Sequence, residues 1–222
     1  MYALWGPDLD TGLRAPELRD ALRAGGATRL QVNVDDEQVA PAKLRITHLE
    51  TPVQAVASVW TERDENGVSQ LLSQVATRCV GWEVEEQVRL LPPPEDDGVR
   101  ADALAQIAFL RIPEGMEPAE WLHRWQGLHT SVAIETQATF GYVQNRVVRV
   151  VLGDEPVDAL VEELFPMPAM TDVHAFYGSG GDDAELQRRL GLMIESVSRF
   201  GADRNLDSVP TSRYLFDLTI GP

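Results

Sequence analysis

The sequence predicts an α+β fold: two β-α-β-β-α-β units of the ferredoxin-like type, packed as an internal pseudo-dimeric α/β barrel. Three observations predict it. The chain of 222 residues suits one large domain or two small ones. A proline-rich acidic connector, "LLPPPEDDGVRAD" (Leu90 to Asp102), divides it. Strand-like and helix-like runs alternate in a similar order on both sides. The expected division is a degenerate ferredoxin-like unit over residues 1–91, a stiff, solvated linker over 92–102, and a second unit over 103–222.

In the first unit "MYALWG" is a strand and "APELRDALRA" a helix with Pro16 at its start. "TRLQVNVDD" and "TPVQAVASVWTE" are strands, "NGVSQLLSQVAT" is a helix, and "RCVGWEVEEQVRLL" is the last strand. In the second unit "LAQIAFLRI" is an apolar strand, and "EPAEWLHRWQGLHTSVA" a helix with Pro118 in its first turn. "TFGYVQNRVVRVVL" is a β-branched strand, "VDALVEELF" a short helix, and "TDVHAFYG" a strand ended by "GSGG". "DDAELQRRLGLMIESVSRF" is an amphipathic helix capped by Asp182 or Asp183, and "TSRYLFDLTI" is the final strand. "APELRDAL" lies over "PAEWLHRW" and "LQVNV" over "YVQNRV", which brings Asn33 near Asn145; internal duplication is the simplest account. A sheet with helices on one face leaves its other face apolar, so two such sheets can cover each other and enclose a cavity.

The formal net charge of -16 opposes phosphate backbones and anionic membrane surfaces, so neither nucleic acid nor membrane is an expected partner. Lys43 is the only lysine, and the arginines form no basic patch. Cys79, the only cysteine, reads as a buried, inert thiol. The N-terminal run lacks signal-peptide regions and no run reaches the length of a membrane span, so a cytoplasmic location is expected. "GSGGDD" reads as a turn and helix cap, since its aspartates would repel phosphate. Glu120 and His123 have the spacing of a carboxylate-bridged metal pair, but no second pair exists, and no metal is expected. "EPAEW", "VEELF" and "EVEEQ" read as solvated acidic faces.

The run from Ala119 to Ala133, "AEWLHRWQGLHTSVA", carries two tryptophans and two histidines. With Trp121 at the origin of an ideal helix, Trp125 lies at about 40°, His129 at about 80°, Leu122 at about 100°, Leu128 at about -20° and Val132 at about 20°. They share one arc; His123, at about 200°, faces water. His129 is therefore expected to be buried, bonded through one ring nitrogen, and lowered in pKa.

"LHRWQGLH" resembles the Phe/Leu-x-x-Tyr-Trp-x-x-x-His element of the EthD-like family, "YVQNRV" that family's Tyr-Val-Gln-Asn-His strand, and "VHAFYG" its third strand. The resemblance covers Leu104 to Leu218, and the first half only by topology: Leu18, Leu22 and Gly26 stand where the second half has Trp121, Trp125 and His129. Arg146 stands where the family usually has a second histidine. EthD-like proteins belong to the dimeric α/β-barrel superfamily. The prototype accompanies an oxygenase system that degrades an alkyl ether, and relatives include small cyclases and dehydratases of polyketide pathways. The resemblance points to Trp125, His129, Tyr142 and Asn145. Within "DVHAFYG", strand alternation puts His174 and Phe176 on one face and Val173, Ala175 and Tyr177 on the other; either face can be the cavity side.

The expectation is a small-molecule protein of oxidative or polyketide-type metabolism, with a site built mainly from the second half. Trp125, Tyr142, Asn145 and Phe176 would bind a hydrophobic or aromatic metabolite, and His129 or His174 would act as general acid/base. No cofactor motif is visible, so none is expected; a redox role would be cofactor-free, or would rest on a partner oxygenase or haem. A homodimer is among the associations considered. The second reading is a non-catalytic ligand carrier or accessory protein to an oxygenase, and the third is a filled core with no site.

Overall fold

In the computed structural model, which describes residues 1–62 and 65–219, every strand finds a neighbour on both sides. The strands are β1 (Tyr2–Trp5), β2 (Ala27–Val34), β3 (Ala55–Thr61), β4 (Arg78–Leu90), β5 (Leu104–Leu110), β6 (Gly141–Leu152), β7 (Ala159–Phe165) and β8 (Asp207–Asp217). The helices are α1 (Leu9–Leu13), α2 (Pro16–Ala24), α3 (Glu65–Val75), α4 (Pro118–Leu122), α5 (Thr130–Thr136), α6 (Val173–Tyr177) and α7 (Asp183–Ser198). All pairings are antiparallel, and the sheet closes as β1-β3-β2-β8-β5-β7-β6-β4. Read round the barrel, the N-terminal half supplies β4-β1-β3-β2 and the C-terminal half β8-β5-β7-β6. The two sheets do more than face each other. Their edges pair, β2 with β8 and β4 with β6, so no unpaired strand edge remains among the described residues.

Strand alternation sorts side chains to the two sides of this wall. Outward residues such as Leu30 and Val32 pack against Leu18 and Leu22 of α2 and Leu72 of α3. Inward residues, including Ala3, Val56, Trp82, Ile107 and Phe109, fill part of the lumen. In the second half Trp121, Trp125 and Met193 from the helices meet Tyr142, Ala159 and Val161 from the sheet.

Three sequence expectations are corrected. "VDALVEELF" is not a helix: Ala159–Phe165 is β7, at the heart of the second sheet. Ala159 and Val161 face the helices while Leu160 faces the lumen, and all three are buried. Burial on both faces erases the alternation that marks a strand, and tertiary pairing overrides helix propensity. "TDVHAFYG" is not a strand. Asp172 accepts from the His174 backbone N–H and caps α6, and Gly178 ends it in the left-handed region at φ 63°. The connector is not fully solvated: Gly98 N donates to Leu215 O at 2.7 Å, Ala101 N donates to Arg213 O at 2.9 Å, and the Glu95 carboxylate is buried against the Arg213 guanidinium. The last strand ends at Asp217; Ile220, included in the sequence reading, lies outside the described residues.

Candidate functional site

The helix over β6 changes pitch along its length. α4 runs into a π-helical segment, His123–His129, and then into α5. Its buried side chains come at Trp121, Trp125, His129 and Ala133. On a uniform α-helix each four-residue step turns such a series about 40° further round. The wider π turn swings it back, which keeps the row against the sheet. π segments inside α-helices are frequent at functional sites. The same pitch change overturns one expectation, since Leu128 is 43 % exposed instead of facing the core. His123 is exposed, as its position opposite the arc predicts.

Within this layer Trp121 donates its indole N–H to Phe200 O at 3.2 Å and packs on Trp125, with ring centroids 4.9 Å apart. Trp125 is fully buried, and its indole N–H lies near the Tyr142 hydroxyl without forming a well-aligned hydrogen bond. A buried donor left unsatisfied in this way costs about 1–3 kcal/mol, unless a ligand satisfies it. On the sheet side Tyr142 of β6 and Glu163 of β7 are direct cross-strand partners. With its amide turned to satisfy both neighbours, Gln137 donates to Glu163 Oε1 at 3.0 Å and to Ala133 O at 3.3 Å. Gln144, two residues along β6, accepts from Arg89 Nε and donates to Thr130 Oγ1, both at 2.9 Å.

Glu163 is closely packed by protein, yet part of its surface remains reachable by solvent, so the residue as a whole is half-buried. Burial pushes its carboxyl up to about 8. The Tyr142 phenol is pushed up by burial first and then by the Glu163 charge, and Tyr177 is raised by the same two causes in the same order. A carboxyl that titrates near neutrality beside a phenol and a poorly bonded indole can give and take protons. The sequence reading missed Glu163 because it took "VEELF" for a solvated acidic face. The available signal was two acids inside an otherwise apolar run.

The six residues expected to form a site are dispersed. Trp125 and Tyr142 share the helix–sheet layer. His129 is buried at the end of the π segment; its Nδ1 is 2.9 Å from Ser196 Oγ and its ring 4.8 Å from Phe200, so it joins that segment to the end of α7. Burial lowers its pKa to about 4. His174 is on α6, with Nδ1 2.7 Å from Ser179 Oγ and Nε2 3.3 Å from Asp183 Oδ1. Phe176 stacks on Phe165 at 4.2 Å. Asn145 is separated from Tyr142 by the sheet itself: an odd spacing along β6 turns it into the lumen.

The lumen holds a polar network drawn from both halves. Glu162 Oε1 accepts from Gln31 Nε2 and Asn33 Nδ2, both at 2.9 Å, and lies 3.1 Å from Arg213 Nε. Asn33 also donates to Thr211 Oγ1 at 3.1 Å, and Arg213 Nη2 to Gln31 Oε1 at 2.9 Å. Two adjoining cavities of about 180 and 530 Å³ open beside this network. Among the described residues no acid, histidine and cysteine cluster could hold a metal ion, and no helix is long and apolar enough to cross a membrane.

Neither a protein-family model nor a curated protein matches the sequence. A solved structure shares its fold. An anthrone oxidase-like protein superposes with a TM-score of 0.58 at 12% identity, over 99% of this chain and 92% of its own. A provisionally assigned monooxygenase from Lactobacillus acidophilus NCFM gives a TM-score of 0.48 at 10% identity, over 98% of this chain and 94% of its own. The class defined by these observations is the α/β barrel of the dimeric type, closed here within one chain.

Proposed function

We propose that this protein belongs to the EthD-like branch of the dimeric α/β barrels, arose by internal duplication, and acts on a hydrophobic aromatic metabolite in oxidative metabolism without a bound cofactor. The observation that carries the reading is the Glu163–Tyr142–Trp125 cluster: a carboxyl raised to about 8, its cross-strand phenol, and a buried indole N–H beside that phenol with no well-aligned hydrogen bond. The likeness in fold to an anthrone oxidase-like structure supports the substrate class. An anthrone carries a CH₂ group made acidic by the conjugated carbonyl. Glu163, ionised, removes that proton, while Trp125 and Tyr142 donate to the carbonyl oxygen as negative charge moves onto it. The electron-rich anion then gives up electrons to dioxygen, and the balance is CH₂ + O₂ → C=O + H₂O. Both ring nitrogens of His174 are engaged, by Ser179 and Asp183, and His129 is tied through Nδ1 to Ser196 with its pKa lowered to about 4 by burial, so the proposal gives the proton to Glu163. It places the work in the cytoplasm, on a free small molecule, in keeping with a net charge of -16.

The test is dioxygen uptake with a hydroxylated anthrone. Wild type is expected to consume dioxygen as the quinone absorbance grows, and Glu163→Gln to lower kcat by about 10²–10⁴-fold, the usual worth of a positioned acid/base. A Glu163→Gln variant with unchanged kcat would remove the assignment. Binding of the anthrone without uptake would make the protein a carrier or an oxygenase accessory instead.

A further inference from the structure

The lumen is chemically separate from the helix–sheet layer, because the barrel wall stands between them. Two of its side chains are polar, have no protein partner among the described residues, and turn their polar ends to the cavities. Asn145 on β6 and Ser58 on β3 are each 4 % exposed, and neither side chain has a hydrogen-bond partner among the described residues. Both line the two adjoining cavities. A third group points the same way. Glu162 receives all its donors on Oε1, and its Oε2 has no partner among the described residues. Polar atoms open to a cavity take their hydrogen bonds from water or from an occupant that replaces it. Three such groups line the smaller cavity, while Gln31, Asn33 and Thr211 beside them are fully engaged by protein, so a polar occupant finds its partners at these three positions.

The lining specifies the chemistry of the occupant. Trp60 and Trp82 supply aromatic surface; Trp60 is held by the Arg29 guanidinium 3.5 Å above its ring, and Trp82 packs edgewise on Phe109 at 6.3 Å. Asn145 and Ser58 can both give and receive a hydrogen bond, whereas an ionised Glu162 can only receive one. A hydroxyl group meets all three. The side chains around the two cavities include five glutamates (Glu62, Glu83, Glu86, Glu95, Glu162) against three arginines (Arg29, Arg149, Arg213), so an anion is disfavoured. The cavity of about 180 Å³, which holds all three groups, has room for one ring, and the adjoining cavity of about 530 Å³ also reaches Tyr2, Val59 and Val68 of the core under the helices. We infer that the barrel lumen is a second binding site, distinct from the Glu163 cluster, that takes a small flat phenolic molecule with its hydroxyl at Asn145, Ser58 and Glu162.

Three probes of one ring system test this: 4-cyanophenol, which carries the hydroxyl; benzonitrile, which lacks it; and 4-cyanobenzoate, which is an anion. Binding is followed by NMR titration at about pH 6, where the phenol is neutral, reading the indole N–H resonances. The expected result is saturable binding of 4-cyanophenol that shifts the Trp60 and Trp82 signals, with the other two probes at least about tenfold weaker. Ser58→Ala, which removes one hydroxyl and leaves the packing, and Asn145→Leu should each weaken 4-cyanophenol about three- to tenfold. Glu163→Gln should leave it unchanged. The inference fails if 4-cyanophenol does not bind, if 4-cyanobenzoate binds equally well, if neither lumen variant changes the affinity, or if the shifted indole is Trp125.

Discussion

Replacing Glu163 with glutamine removes the titration and keeps the size of the side chain. The consequence for stability can be worked from its surroundings. Burial raises the folded carboxyl from 4.5 to about 8. Between those values the native state holds a proton that the unfolded chain has lost, so wild-type stability falls as pH rises from about 4.5 towards 8 and levels off above it. Each pH unit in that window is worth a little over 1 kcal/mol for a fully sequestered group. Glu163 keeps some contact with solvent, which reduces the effect; a total of about 2–3 kcal/mol between pH 5 and 8 is expected. Glu163→Gln lacks this slope. Urea unfolding of both proteins across that range, at constant ionic strength, should show the variant gaining on wild type at every step. Parallel curves would mean that the carboxyl titrates normally, and the acid/base reading of the cluster would fall with it.

His129 has the opposite sign. Its folded pKa lies at about 4, below the ordinary 6.5, so the unfolded chain takes up a proton that the native state refuses, and stability is lost as pH falls from 6.5 towards 4. His129→Gln should flatten that acid limb by about 2–3 kcal/mol in the same urea titration, and a histidine NMR titration should show no protonation of His129 above about pH 5. The wild-type slopes from Glu163 and His129 oppose each other between about pH 4.5 and 6.5, which is why each variant must be read against wild type. Arg213→Met strips the cation from between Glu162 and Glu95 and leaves two buried carboxylates facing each other. It should cost about 3–5 kcal/mol, recovered in part by adding Glu162→Gln, whereas a cost below about 1 kcal/mol would show that the network carries little of the barrel's stability.

How much of this was legible in the chain depends on how local each signal was. Pro16 and Pro118 mark helix starts, the β-branched run at Tyr142 to Leu152 marks a strand, and the acidic N-terminal turn of α7 marks its cap; each requires only neighbours within a few residues. The row Trp121, Trp125 and His129 was legible for the same reason, and so was the burial of His129. Elsewhere the decision lay with distant partners. β7 is a strand because β5 and β6 hold it on either side, and burial of both its faces removed the periodicity that would have announced it. Its loss from the sequence reading hid Glu162 and Glu163, adjacent residues that alternation sends to opposite sides of one wall. The same rule parts Tyr142 from Asn145, although a linear motif holds them three residues apart. The closed barrel itself rests on two long-range pairings, β2 with β8 and β4 with β6, that bring residues such as Gln31 and Arg213 into contact across most of the chain. No local pattern encodes such a contact, because its free energy appears only when both edges are present to share their hydrogen bonds.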